Sequence, residues 1–278
     1  GGLAVVYEFE NTRDKKRLRA MGVDLERLII HRPAHLEEAF ANVWLVYQHV
    51  ATEHAAAVKR GEKPPPVLFI LDSIGAAPTR DEVSTAEGDA KGVKEGRPGT
   101  TASVLSRNCK LLFHRIRKIN AHFMFINQVR ESFGQSFYKA YETPGGKAIK
   151  FASTLRVRCT AQKFPRTRPH SGLWCRVFTD KNKVVPPYRE ARWMLDFVEG
   201  PSPLLTLLEV GVQSGLIRRR AGQYVVPGKS GPVTVKDRAA WARLCARTPA
   251  LVDRLWRKLL SAPATPVAGP EPEQNPNE

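Results

Sequence analysis

The sequence predicts an α/β fold, a mainly parallel sheet flanked by helices, with a small α+β domain after it. Three observations predict it. Helical and strand periodicities alternate along most of the chain, the pattern of a sheet covered by helices. "VLFIL", residues 67–71, is an unbroken apolar run of the kind buried on both faces of a parallel sheet. After "VEGPSP" the alternation stops, and residues 204–260 carry two helical patterns around a short β-like piece, "GQYVV".

The elements follow in order. Residues 1–7 read as the first strand and run into "EFENTRD". Residues 14–21 form a short basic helix stopped by Gly22, since glycine takes the left-handed conformation that ends helices. "LERLIIHRP" supplies a second strand, halted at Pro33. Residues 35–60 form a long amphipathic helix with Leu36, Phe40, Val43, Trp44, Tyr47 and Val50 at helical spacing, and "GEKPPP" breaks it before the 67–71 strand. The polar stretch 79–100, "TRDEVSTAEGDAKGVKEGRPGT", is too rich in glycine and charge to pack as core and reads as a mobile surface loop. A basic helix over 101–119 and the strand "AHFMFINQ" come next, then a second loop over 130–146. "KAIKFASTLRVRCTAQKF" passes from helix into strand, and "LWCRVFTDKNKVVPPYREARWMLDF" forms a hairpin with its turn near 180–183. The expected domains are a core over 1–199 and a C-terminal domain over 200–262. The Pro-rich tail, 263–278, lacks bulky apolar residues and is expected to be disordered.

Charge narrows the function. Lys and Arg number 44 against 27 Asp and Glu, a net of +17, which predicts attraction to polyanions, nucleic acid first. No apolar run approaches the ~20 residues of a membrane span, and no secretory pattern occurs, so no membrane partner is expected. The cysteines Cys109, Cys159, Cys175 and Cys245 lack the spacing of a zinc site or disulfide framework, which fits a reducing cytoplasm. The chain opens on Gly1 and enters a strand by Leu3, as expected of a sequence that starts downstream of a natural N-terminus.

Polar groups stand at the ends of three apolar strands: Glu10 after "LAVVYEF", Asp72 after "VLFIL" and Gln128 after "HFMFIN". Ligands of open α/β sheets bind outside the carboxyl ends of the strands. The three together suggest a phosphate and metal site. Asp72 would hold Mg2+, directly or through water, and Glu10 would orient and deprotonate an attacking water.

These segments resemble the RecA recombinases of bacteria and their phages. "GGLAVVYEFENTRDKKRLRAMGVDLERLIIHRP" is similar to the segment after the family's phosphate-binding helix, and "FILDSIGAAPTRDEV" to its Walker B strand. "MFINQVRESFG", "TPGGKAIKFASTLRVR" and "KNKVVPPYREARWMLDFVEG" match later motifs in order. "LLEVGVQSGLIRRRAGQYVV" with "AAWARLCARTPALVDRLWRKLL" is similar to the family's C-terminal domain.

The resemblance implies a RecA-like ATPase core using ATP and Mg2+. Glu10 falls where the family activates water, Asp72 and Ser73 at the Walker B pair, and Gln128 at the γ-phosphate sensor. Asp14 falls at an adenine contact, and Arg17 replaces the family's base-stacking tyrosine. Lys181 and Lys183 match lysines that reach the γ-phosphate of a neighbouring subunit. Residues 79–100 and 129–146 correspond to the two DNA-facing loops, the first longer than the family's usual one. Ser106, Lys110, Arg130, Gly145, Gly146 and Lys147 match DNA-contacting positions. From 201 to 262 the chain has eleven Lys and Arg against three acids, and Arg218, Arg219 and Arg220 there suggest a landing surface for duplex DNA.

The implied activity is an ATP-dependent helical filament of self-associated subunits on single-stranded DNA. It would pair that strand with a homologous double-stranded DNA and exchange strands, in the cytoplasm at the nucleoid. One departure stands out: no G-x-x-x-x-G-K-S/T loop occurs. In the family that loop lies just upstream of the strand at Leu3, so truncation accounts for its absence better than evolutionary loss. The chain as it stands is expected to hydrolyse no ATP. The alternative is a non-hydrolysing DNA-binding or filament-modulating paralogue, naturally without the loop. A RadA-type helicase is disfavoured by the C-terminal match.

Overall fold

The computed structural model describes residues 2–10, 14–88, 99–131, 141–162, 172–197 and 200–261, with backbone alone at 85–88, 130–131, 141–142 and 162. The described chain divides into two compact units between Ser153 and Thr154. The 263–278 tail and the centres of the two predicted loops lie outside the described residues.

In the first unit, β1 (Leu3–Glu8), β2 (Leu28–His31), β3 (Val67–Asp72) and β4 (Ala121–Phe125) form a parallel sheet in the order β2-β1-β3-β4. The register sets Glu8 against Asp72 and Leu71 against Phe125, so the carboxyl ends of β1, β3 and β4 share one edge. The helices are α1 (Lys15–Ala20), α2 (Leu36–Lys59), α3 (Arg80–Gly88), α4 (Thr100–Ile116) and α5 (Lys147–Ala152). Leu36, Phe40, Val43 and Val50 of α2 and Leu105 and Leu112 of α4 bury against Val5, Tyr7, Phe69 and Leu71 of the sheet. Each such side chain contributes about 1.5–3 kcal/mol by leaving water. Tyr47 Oη donates to the Arg115 carbonyl at 3.2 Å, fastening α2 to the end of α4.

The stretch at 79–100 departs from expectation, because residues 80–88 are helical. The cause is local. "TRDE" has the pattern of a capping box and forms its Glu half: Thr79 donates its N–H and its hydroxyl to Glu82 Oε2, at 2.6 and 3.0 Å, and this contact outweighs the glycine that ends the helix. The second loop is also partly regular. β5 (Arg130–Glu131) pairs antiparallel with β6 (Tyr141–Glu142).

The second unit opens with an antiparallel sheet, β7 (Leu155–Gln162), β8 (Gly172–Asn182), β9 (Glu190–Asp196) and β10 (Gly200–Ser202), in the order β10-β9-β8-β7. Its hairpin turn lies later than predicted, because β8 pairs with β7 as far as Asn182. Next come α6 (Pro203–Gln213), β11 (Arg218–Arg220), β12 (Gln223–Pro227), β13 (Pro232–Val235), α7 (Arg238–Arg247) and α8 (Pro249–Ser261). Three helices stand where two patterns were read, since Thr248 and Pro249 divide the last pattern in two. Leu207, Leu208, Ile217, Val226, Trp241 and Leu255 form their core. The Trp241 indole N–H, buried there, donates to the Leu204 carbonyl at 2.8 Å. Among the described residues no helix is long and apolar enough to cross a membrane.

Candidate functional site

The parallel sheet brings Glu10, Ser73 and Gln128 together at its carboxyl edge. The ends of β3 and β4 are tied by Ile126 N–H to the Leu71 carbonyl and Ile74 N–H to the Ile126 carbonyl, both at 3.0 Å. The end of β1 is tied to β3 by Phe9 N–H to the Asp72 carbonyl at 2.8 Å. Held there, the buried Ser73 donates its hydroxyl to Glu10 Oε1 at 2.7 Å, and Gln128 Nε2 donates to the same oxygen at 3.3 Å. Glu10 itself is exposed, and its Oε2 takes part in neither bond. Asp72 closes β3 half-buried, one residue from Ser73.

Carboxylate, hydroxyl and amide oxygens on one edge are the ligand class of a hard divalent cation. Among the described residues no three His, Cys, Asp or Glu cluster as a metal cage.

The glycine pair has a steric explanation beside its proposed one. Gly145 has φ +91°, and a Cβ there would lie 2.6 Å from Leu105 Cδ1; Gly146 has φ +69°, and its Cβ would lie 2.9 Å from that of Ala102. The pair thus lets the start of α5, with the exposed Lys147, approach α4 closely. Ala102, Ser106 and Lys110 follow at helical spacing on one face of α4, so the Ser106–Lys110 stripe begins beside Gly146. Arg130 has its backbone in β5, and its side chain lies outside the described set.

Asp14 is the N-cap of α1, its Oδ1 accepting from Lys16 N–H at 2.8 Å, and Arg17 is exposed on that helix. In the second unit Lys181 is the last residue but one of β8, opposite Arg156, and Lys183 follows the strand with its N–H on the Thr154 carbonyl at 3.0 Å. Lost hydration, and then the charges of Lys183 and Arg156, hold Lys181 below the usual lysine range. Arg218, Arg219 and Arg220 are all exposed on the edge strand β11, yet they are not equivalent. The Arg219 guanidinium lies over the Tyr224 ring at 5.7 Å, while Arg218 and Arg220 alternate to the other face.

Several residues were missed from sequence. Glu8 is buried and meets Arg32 Nε at 3.1 Å; its position as the acid that closes the apolar run of β1, two residues before Glu10, was the available signal. Asn127 braces Gln128, donating Nδ2 to the Pro144 carbonyl at 2.8 Å and accepting Gln128 N–H at 2.9 Å. Asn182 Oδ1 accepts from Val184 and Val185 N–H, at 2.9 and 3.1 Å, and shapes the turn that carries Lys183. Both asparagines sit between or beside singled-out residues and have the local bonding habit of turns. Burial pushes the Cys109 thiol up to about 12 and Cys245 up to about 11, which removes both as nucleophiles near neutral pH. A cavity of about 640 Å³, lined in part by Leu3, Ala4, Arg27, Leu28, Val67 and His122, opens at the opposite end of the strands.

Residues 1–202 match the family model of the RecA N-terminal domain. The chain is 29% identical over 262 residues to Protein RecA of Thermus aquaticus, covering 94% of this chain and 70% of that one. It is 28% identical over 266 residues to Protein RecA of Aquifex aeolicus, with the same shares covered. Against Protein RecA of Staphylococcus aureus it is 28% identical over 230 residues, 82% of this chain and 60% of that one.

Proposed function

The chain belongs to the RecA family, and from that premise we propose that it is a recombination protein whose sheet edge serves ATP and whose loops serve single-stranded DNA. One observation carries the reading: Ser73 and Gln128 converge on a single oxygen of Glu10 at the carboxyl edge of a parallel sheet. A carboxylate so oriented is built to position a water for attack on a terminal phosphate. Asp72 is the residue to hold Mg2+, which when bound neutralises charge on the phosphates. Gln128 is both a neighbour of Glu10 and the last residue but one before β5. A change at the phosphate therefore reaches the 129–146 loop within two residues. Lys181 and Lys183 would act on a neighbouring subunit's nucleotide in a filament, cations supplied in trans to the charge of phosphoryl transfer. Arg130, Lys147, Ser106 and Lys110 would follow the DNA backbone, and Arg218 and Arg220 would receive duplex DNA.

The test uses the chain joined to the family's phosphate-binding loop upstream of Leu3, and measures binding of a fluorescent single-stranded oligonucleotide with and without a non-hydrolysable ATP analogue. That protein is expected to bind more tightly with the analogue, which the chain without the loop holds only very weakly. Gln128→Ala is expected to retain basal binding and lose that tightening. If the analogue tightens binding equally in Gln128→Ala, the sensor assignment fails. If it has no effect on either protein, the filament-modulating alternative is favoured.

A further inference from the structure

At the carboxyl edge of the parallel sheet, β2, β1 and β3 each bring one charged residue to a single row. Glu8 stands opposite Asp72 in the ladder, and the β1–β2 ladder closes with Tyr7 opposite His31, so Arg32 comes next, beside Glu8. Pro33 favours an extended backbone at the residue before it, which keeps Arg32 on the face that Ile30 occupies. Arg32 Nε accordingly donates to Glu8 Oε2 at 3.1 Å. The order across the sheet is Arg32, Glu8, Asp72, a cation and then two acids. Next to it along the strands lies the apolar row Ile30, Val6, Ile70.

Carboxylates in register on neighbouring parallel strands have backbones about 4.8 Å apart, close enough to take one hard cation between them. Like charges so placed also repel. The fold treats the two acids differently. Glu8 is buried, its side chain 1% exposed, whereas the side chain of Arg32 is 55% exposed. A buried carboxylate needs a counterion, and Arg32 supplies it. That charge-assisted bond competes with any metal for the same carboxylate. Mg2+ keeps several waters and phosphate oxygens in an octahedral shell. One protein carboxylate leaves room for them, and a second free one would set negative charge beside the phosphates.

We propose that Arg32 is a positioning residue that withholds Glu8 from the divalent cation, leaving Asp72 as the one carboxylate of this row to serve it. The inference rests on the reading of Asp72 as the Mg2+ residue.

The experiment titrates the full chain with Tb3+, a hard, oxygen-seeking probe cation read by its luminescence, beside a thermal melt of each variant. Asp72→Asn is expected to weaken Tb3+ binding about tenfold. Arg32→Ala should do the opposite, tightening it about tenfold as a second carboxylate becomes available. It should also lower the melting temperature, because a buried charge loses its partner. Adding Glu8→Gln to Arg32→Ala should return both readings to near those of the unaltered chain. Arg32→Lys, which keeps a cation there, should hold Tb3+ affinity within about twofold. If Arg32→Ala does not fold, Arg32→Gln, a neutral donor to Glu8, gives the same comparison with a tightening of about threefold. An ion pair with a structural role alone would move the melting temperature and not the Tb3+ affinity. Tb3+ affinity unchanged on loss of the Arg32 charge, with Asp72→Asn still weakening it, overturns the inference and leaves the metal reading of Asp72 standing. Tb3+ affinity unchanged in Asp72→Asn removes that reading, and the inference with it.

Discussion

Gly145 and Gly22 have nearly the same backbone conformation, φ +91° and +83°, and different surroundings. Alanine at either would be held in the left-handed region, at a cost of about 1–2 kcal/mol. At Gly22 nothing lies within 4 Å of the added methyl, so that strain is the whole cost. At Gly145 the methyl would also meet Leu105 Cδ1 and Ile74 Cγ2, both in the core, adding about 1–3 kcal/mol of overpacking. Gly145→Ala should therefore lower the urea midpoint by clearly more than Gly22→Ala does. Equal shifts would show that the α4–α5 approach is looser than drawn. The sequence marks both glycines as chain-bending residues, and only the fold separates them, because Leu105 is forty residues away in sequence from Gly145. Glu8 and Glu10 illustrate the same limit. The sequence shows two acids two residues apart where β1 ends, and only the fold separates them, since burial and Arg32 claim Glu8 and leave Glu10 exposed beside Ser73.

Elements were legible where one physical signal dominated. β3 and α2 follow from an apolar run and from helical spacing, and both appear within a residue or two of expectation. α3 was hidden because glycine and charge over 79–100 were weighed as a whole, while its cap depends on two residues, Thr79 and Glu82. The carboxyl-edge site was legible for the same reason as β3: parallel strands that end together must bring their next residues together. β11 shows what a single label conceals. The run of three arginines reads as one basic patch, but strand alternation and Tyr224 divide it. Arg219→Ala should lower stability by about 0.5–1 kcal/mol through the lost ring contact, and affect duplex affinity little. Arg218→Glu with Arg220→Glu should do the reverse, weakening duplex binding with the melting temperature almost unmoved. A duplex titration and a thermal melt on each variant decide it. Equal loss of duplex affinity in both would restore the undivided patch.

At the scale of the whole molecule, a net charge of +17 will draw any nucleic acid, so binding by itself says little about a site. What distinguishes a site from a basic surface is which charges the binding depends on. α2 and α4 offer a matched pair for the comparison. Lys110 lies on the α4 face that begins beside Gly146 at the carboxyl edge of the sheet, about 12 Å along the helix from Ala102. Lys59 is the last residue of α2, whose first turn sits against Pro78 at that same edge. A 24-residue helix carries Lys59 roughly 36 Å from its own start, towards the opposite end of the strands. Both lysines are exposed, and replacing either by alanine changes the net charge by the same amount. If the whole surface attracts single-stranded DNA, the two variants should lose affinity equally and keep nearly parallel salt dependences. If the edge is the site, Lys110→Ala should flatten the plot of log affinity against log salt by about 0.7, one phosphate's worth of released counterion on a single strand. Lys59→Ala should leave that slope unaltered. An oligonucleotide titration across a salt series, run on the three proteins side by side, gives the answer, and identical slopes for Lys110→Ala and Lys59→Ala would remove the DNA site from the sheet edge.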